Sequence, residues 1–522
     1  LLLCGSAGDG KSHLISYLKN SDSENLLENF DTYNDATESS APNLTAIETL
    51  SKELAAFNDD NFEKQDGTRL IIAINLGTLN NFIESEQGKS FTRLKKYVDE
   101  NKILAGFGEK PGYHENSVFQ HVSFSDYQVF SLNENGVNTD FLKNLFSRVF
   151  NQNDDNPFYQ AFCCGETCSA CKKCPVRHNY EFMMDEKHQD AVIERIIEIV
   201  IKDKAIISTR EVLNLIYDIL VHPDFNRGDI INTSSEVEYL SKYIEWTTPM
   251  LLNEYDDLSP VLNLIKQYDV LKNRSETGDE DALRFHAKEN IEDDYVQATE
   301  GSPYQILNNL TDVSVLGGKK ANLKKLVYKF IIRIRDLNKI QDENYNHDLK
   351  EYVEYLYFQN SGKENNLRKL YEATRKAIMS WDGQFEDDSI CIDDSNDQYW
   401  VLEQLNFKSA IDKNVTPVEG EVYRFSPTLT LRFKKDSDDP TLTPVTISVD
   451  YALFELILKM KEGYRPTVQD KNRHADFVSF IQRISDFGNK SNRVTIVPKD
   501  GTQNIKMIFE ETEFGYDFKV VQ

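Results

Sequence analysis

The stretch LLLCGSAGDGKS (Leu1–Ser12) decides how the rest of the chain is read. A short apolar run breaks into Gly5-Ser6-Ala7-Gly8-Asp9-Gly10-Lys11-Ser12, which satisfies G-x-x-x-x-G-K-[ST] at every fixed position, and the helix-like run SHLISYL follows. The pattern works because glycines free successive backbone N–H groups to point into one concavity at a helix N-terminus, where the helix dipole also favours negative charge. On this reading Gly5, Ser6, Ala7, Gly8, Asp9, Gly10, Lys11, Ser12 and His13 form a nucleotide cradle. Lys11 would reach the β- and γ-phosphates and Ser12 would ligate Mg²⁺, with ATP or GTP as the nucleotide. Leu1 already falls in the strand that feeds the loop, so the natural N-terminus is expected to lie upstream.

Outward from the loop, strand-like runs LLLC, FDTYN, LIIAINL (70–76) and VFSLN (129–133) alternate with helical patterns from Lys11 and from Thr45 to Phe57. Such alternation argues for a mainly parallel sheet with helices on both faces. Residues beyond 181 are mostly helical in pattern, as in VIERIIEIVI and LKKLVYKFIIRIRDL. From about 385, strand-like TLTLRF, TPVTISVD, RVTIVPKD and NIKMIFEE surround the helical YALFELILKMK and HADFVSFIQRI. The expected fold is therefore an α/β P-loop NTPase (AAA-like) core over 1–180 with a Cys-rich metal insertion at 160–180. A helical lid or linker would follow over 181–380, and a C-terminal α+β domain over 381–522.

The 522 residues exceed what one core holds. A hydrophobic content of 40% with 11% aromatics excludes a largely disordered chain. The formal charge of −27 gives no global attraction for nucleic acid or anionic membrane, so DNA contact would need a local basic patch or a partner chain. No run approaches the roughly 20 apolar residues of a membrane span. Five of the seven cysteines fall within residues 163–174, a metal-site distribution rather than a disulfide framework, and a cytoplasmic protein is expected.

Hydrolysis needs an acid on a neighbouring strand to hold the metal and orient water. No apolar strand here closes on Asp-Glu. LIIAINLG ends instead in Asn75, a candidate γ-phosphate sensor, and the acidic candidates are Asp35 and Glu38 in YNDATES, with Asp126 weaker. The alternative reading of NDATES is a turn that caps the helix near Thr45. In STREVLNLIYDIL, Arg210 opens an amphipathic helix and resembles the lid arginine of AAA-type ATPases; the alternative is a solvated side chain. Arg148 reads as an ordinary surface arginine before it reads as a finger for a neighbouring subunit.

CCGETCSACKKCPVRHN (163–179) holds Cys164, Cys168, Cys171 and Cys174 at C-x3-C-x2-C-x2-C spacing, with Cys163 or His178 as alternate ligands. Four thiolates suit structural Zn²⁺; the terminal Cys-Pro also suits an iron–sulfur cluster. Four protein ligands leave no position for substrate, and no Asp-His pair accompanies Arg177-His178-Asn179, so a nuclease centre is not expected. GGKKANLKKLVYKFIIRIRDLNK (317–339) concentrates Lys319, Lys320, Lys324, Lys325, Lys329 and Arg333 against a single acid, Asp336. This stretch is the candidate DNA-backbone contact; the plainer reading is a helix face paired with neighbouring carboxylates.

Taken together, the opening loop, NDATESSAPNLTAIETL, IIAINLGTLNNF, the cluster ending CPVRHN and STREVLNLIYDILV resemble the DptF family, the P-loop ATPase component of bacterial phosphorothioation-dependent restriction. GYRPTVQDKNRHADFVSFI resembles it more loosely. The resemblance implies a multi-protein defence complex with DptG-like and DptH-like partners, which acts on duplex DNA lacking phosphorothioate marks and is driven by nucleotide hydrolysis. It gives Gly5 to Ser12 the nucleotide role. The residues themselves leave two functions open: an ATP-hydrolysing, DNA-associated subunit, or a nucleotide-gated scaffold or signalling switch with little turnover.

Overall fold

The computed structural model describes residues 1–34, 45–62, 67–104, 117–124, 127–164, 168–226, 228, 235–254, 259–272, 276–288, 290–306, 321–339, 346–383, 389–393, 398–405, 407–411, 417–435, 443–487, 493–499 and 506–521. The chain forms two compact units, residues 1–131 with 138–345, and residues 132–137 with 346–522.

The first unit is built on a four-stranded sheet of β1 (Leu2–Gly5), β2 (Asp31–Tyr33), β3 (Leu70–Asn75) and β4 (His121–Ser123). Their order is β2-β3-β1-β4 and every pairing is parallel. β1 and β3 are almost continuously apolar because both faces of a parallel sheet are covered. Alternation along the strands divides the core. Leu2, Cys4, Ile72 and Ile74 point into a large cluster with Leu79, Phe82, Leu94 and Tyr97, while Leu3, Ile71 and Ala73 meet Ile15 on the opposite face.

The helix α1 (Lys11–Ser21) supplies Ile15 to the smaller face. On the other face lie α2 (Ala46–Glu53), α3 (Leu76–Ile83) and α4 (Thr92–Glu100). α2 starts with a reciprocal capping box between Thr45 and Glu48, so the residue that caps this helix is Thr45 itself. VFSLN differs from expectation. Its β5 (Ser131–Asn133) pairs with β6 (Gly136–Asn138) in a separate two-stranded ribbon, and the fourth parallel strand is the three-residue HVS.

Helices complete this unit: α5 (Asp140–Phe150), α6 (Pro157–Cys164), α7 (Pro175–Met183), α8 (Glu186–Lys202), α9 (Thr209–Asp218) and further helices through Ala321–Lys339. α8 is buried along most of its length, and Ala321–Lys339 packs against it. A polar hub ties the bundle: the Asn179 amide donates to the carbonyls of Leu220 and Trp246, and its oxygen accepts from Tyr304 Oη and Thr248 N.

The second unit contains a three-stranded antiparallel sheet, β9 (Phe407–Ser409), β10 (Leu429–Lys435) and β11 (Val445–Val449). A five-stranded antiparallel sheet joins β7 (Ser389–Asp393), β8 (Tyr399–Gln404), β12 (Arg493–Pro498), β13 (Lys506–Thr512) and β14 (Gly515–Val521) in the order β14-β13-β12-β8-β7. Helices Tyr451–Lys461 and Ala475–Phe487 lie where the apolar spacing expects them. Helices His347–Asn360 and Arg368–Met379 fold with these strands rather than with the helical bundle before them. Among the described residues no helix is long and apolar enough to cross a membrane.

Candidate functional site

The chain passes from β1 to β2 across the position taken by β3, so strand order reverses beside β1. Crevices at the carboxyl ends of parallel strands at such a switch are where open α/β sheets bind ligands. Register places Gly5 directly beside Asn75 there. The glycine-rich loop leaves β1 at this edge and enters α1 through Gly10, whose φ of 90° is left-handed and which offers no side-chain cap. The first-turn N–H groups of a helix have no intrahelical acceptor, and no N-cap side chain meets those of α1.

Lys11 is 8% exposed. Its Nζ donates to the Ser6 carbonyl at 2.5 Å and to Asn75 Oδ1 at 3.3 Å. Asn75 sits at the N-cap of α3 yet makes no capping bond; its side chain turns to the lysine. Asp9 folds back beneath the loop and accepts from Ser6 N at 2.5 Å. Burial raises the Asp9 carboxyl above its usual range, against the lowering effects of the Ser6 bond and the Lys11 charge.

Arg210 comes to the same loop. Ser208 and Glu211 form a capping box that fixes the start of α9, while Val212, Leu215 and Ile216 bury its inner face. The stem of Arg210 lies directly on Gly8: a Cβ at Gly8 would fall 2.6 Å from Arg210 Cβ, and Gly8 has a φ of +95°. Glycine is required there both by conformation and by close approach.

Ser12 Oγ donates to the Asn34 carbonyl at 2.8 Å. Asn34 Oδ1 is buried and takes no hydrogen bond among the described residues. Oxygen donors of this kind suit Mg²⁺, which takes hard ligands. Asn34 is the functional candidate that sequence reasoning missed, although a polar residue directly after β2 was a usable signal. Asp35, Glu38 and Asp126 lie outside the described residues. His13 is exposed in the first turn of α1, and Arg148 is exposed near the end of α5.

In the cysteine loop Cys163, Cys168, Cys171 and Cys174 form no disulfide, and the Cys164 side chain lies outside the described residues. Cys174 stands at the N-cap of α7 without a side-chain capping bond, and burial raises its thiol. His178 is turned into the core: Nδ1 lies 2.7 Å from Tyr243 Oη, and burial lowers the imidazole to about 4. Among the described residues no three His, Cys, Asp or Glu side chains form a metal-holding group, and the Cys164 side chain lies outside them.

On the basic helix Ala321–Lys339 several cations meet carboxylates and carbonyls of neighbouring helices. Arg333 is 3% exposed, with Nη2 at 2.6 Å from Asp269 Oδ2 and Nη1 at 3.2 Å from Glu254. Lys329 pairs with Glu254, and Lys324 donates to the carbonyls of His286 and Lys288. Arg333 is thereby engaged within the bundle, while Lys324 and Lys329 are half-buried beside their partners. Lys325 is exposed, and Lys319 and Lys320 lie outside the described residues. Compared with known proteins, the chain matches no family model, no curated protein and no solved structure.

Proposed function

We propose that this chain is an ATP-binding and ATP-hydrolysing subunit of a DNA restriction complex that acts on DNA lacking phosphorothioate marks. The observation that carries the nucleotide part is the convergence of Lys11, Asn75 and Arg210 on one glycine-rich loop at the carboxyl edge of a parallel sheet. The resemblance of its motifs to the DptF family supports the restriction part, with DptG-like and DptH-like subunits as partners and cytoplasmic action on duplex DNA.

In this reading the loop N–H groups and the α1 N-terminus bind the phosphates. Lys11 moves from the Ser6 carbonyl to the phosphate oxygens. Asn75 holds the ammonium in place, and Arg210 adds positive charge from α9. Ser12 and Asn34 supply oxygen ligands to Mg²⁺, which when bound neutralises charge on the transferring phosphoryl group. Asp35 and Glu38 are the proposed acids.

Phosphate release, with and without duplex DNA, tests this. Lys11→Ala is expected to lower turnover at least about a hundredfold, ~2.7 kcal/mol of barrier. If the unaltered chain releases no phosphate under either condition and Lys11→Ala changes nothing, the enzyme reading is lost. The nucleotide-gated scaffold then stands. What favours that second reading is in the sequence, where no apolar strand closes on Asp-Glu.

A further inference from the structure

β14 is an edge of the five-stranded sheet, and among the described residues no strand covers its outer side. An open edge is a template for another strand, and proteins cover or blunt the edges they do not use. β14 pairs with β13 over all of its seven residues without a bulge, and no proline interrupts GYDFKVV. Tyr516, Phe518 and Val520 share one face by alternation and are 69%, 53% and 58% exposed. Phe509, the cross-strand partner of Phe518, extends this apolar face, and its ring stacks on Tyr516 with centroids 5.1 Å apart. The other face carries Asp517 and Lys519, with Oδ2 and Nζ 3.0 Å apart.

Strand register says which backbone groups are open and what can meet them. The turn Glu513-Phe514 closes on the pair Thr512–Gly515, and hydrogen-bonded pairs alternate from there along β13 and β14. The N–H and C=O groups of Tyr516, Phe518 and Val520 therefore point to the open side. A second β14 can pair antiparallel about a twofold axis only with these outward residues opposite one another, so the axis falls on a residue of the strand. An axis at Asp517 sets that carboxylate against its own copy, and an axis at Lys519 does the same with the ammonium; like charges directly opposite are unfavourable. An axis at Phe518, the middle residue, overlaps the whole strand. It sets Asp517 opposite Lys519 twice, Tyr516 opposite Val520 twice, and Phe518 opposite Phe518. Read in reverse, the pattern apolar-acid-apolar-base-apolar is its own complement. The pair that Asp517 and Lys519 make within the strand is solvent-exposed, so turning each toward a second copy costs little.

We propose that two copies of this chain associate through β14, antiparallel about a twofold axis at Phe518, so that their five-stranded sheets join into one continuous sheet. The interface is isologous and closes at the dimer. It involves the second unit alone and does not rest on nucleotide or DNA binding.

The test is sedimentation velocity of the full chain over about 1–100 µM, the range of weak to moderate association. The unaltered chain is expected to pass from monomer to dimer within it. Asp517→Lys and Lys519→Asp should each weaken the dimer at least about tenfold, because each sets like charges opposite one another twice. An equimolar mixture of these two variants should form a heterodimer, since the charges then oppose again, and both changes in one chain should restore self-association. A chain that stays monomeric throughout overturns the proposal and leaves Lys519 as a charge that guards the edge. It is equally overturned by a dimer that both single variants keep, by a mixture that fails to associate, or by growth beyond the dimer.

Discussion

The glycine-rich loop and the helix Ala321–Lys339 both advertise positive charge, and the fold treats them oppositely. At the loop, Lys11 hydrogen-bonds neutral oxygens, the Ser6 carbonyl and the Asn75 amide, and on the proposed function these are the bonds it would exchange for phosphate oxygens. On the helix, Arg333 meets the buried carboxylate of Asp269 and the exposed one of Glu254, and its charge offsets theirs. A cation is available to a ligand when its resting partners are neutral and replaceable. It is structural when those partners are buried charges.

The largest effect expected from this contrast is on the helix. Arg333→Ala leaves Asp269, 2% exposed, without its buried counter-charge and should cost about 3–5 kcal/mol in urea denaturation. A loss near zero would mean that the pair is not structural. Next, Gly8→Ala forces an L-residue into φ +95° and drives a Cβ into Arg210. The half-saturating ATP concentration should rise about tenfold, ~1.4 kcal/mol; no rise would separate Arg210 from the nucleotide site. Asp9→Asn keeps an acceptor for Ser6 N and removes a negative charge near Lys11. ATP should bind about threefold tighter, since a like charge beside the phosphates opposes them, and weaker binding would show that the carboxylate itself builds the cradle. Smallest of all, Lys325→Ala at an exposed position should shift stability by under about 0.5 kcal/mol and leave DNA affinity unchanged. A large loss of affinity would return this helix to the nucleic-acid interface.

Legibility followed the range of the interactions. β1, β3 and α1 were readable because continuous apolar runs and a glycine-rich break are local signals, and Ser208–Glu211 was readable as a capping box at fixed spacing. β4 was not, because three residues reading HVS carry no period. Of the two readings of NDATES, Asp35 and Glu38 lie outside the described residues, and the cap of α2 is Thr45. His178 looked like a spare ligand until its neighbour Tyr243, distant in sequence, drew it into the core.

The sequence by itself determined a glycine-rich break after the first strand, a parallel α/β start, a helical middle and an antiparallel α+β end, since each rests on periodicity or on spacing within a few residues. Tertiary structure decided which charges remain available. Lys11 meets Asn75 through strand pairing, Arg210 reaches Gly8 by the docking of α9, and Arg333 is withdrawn by Asp269. Whether a charged side chain meets a neutral oxygen or a buried carboxylate depends on residues far along the chain, and short-range pattern carries no information about them.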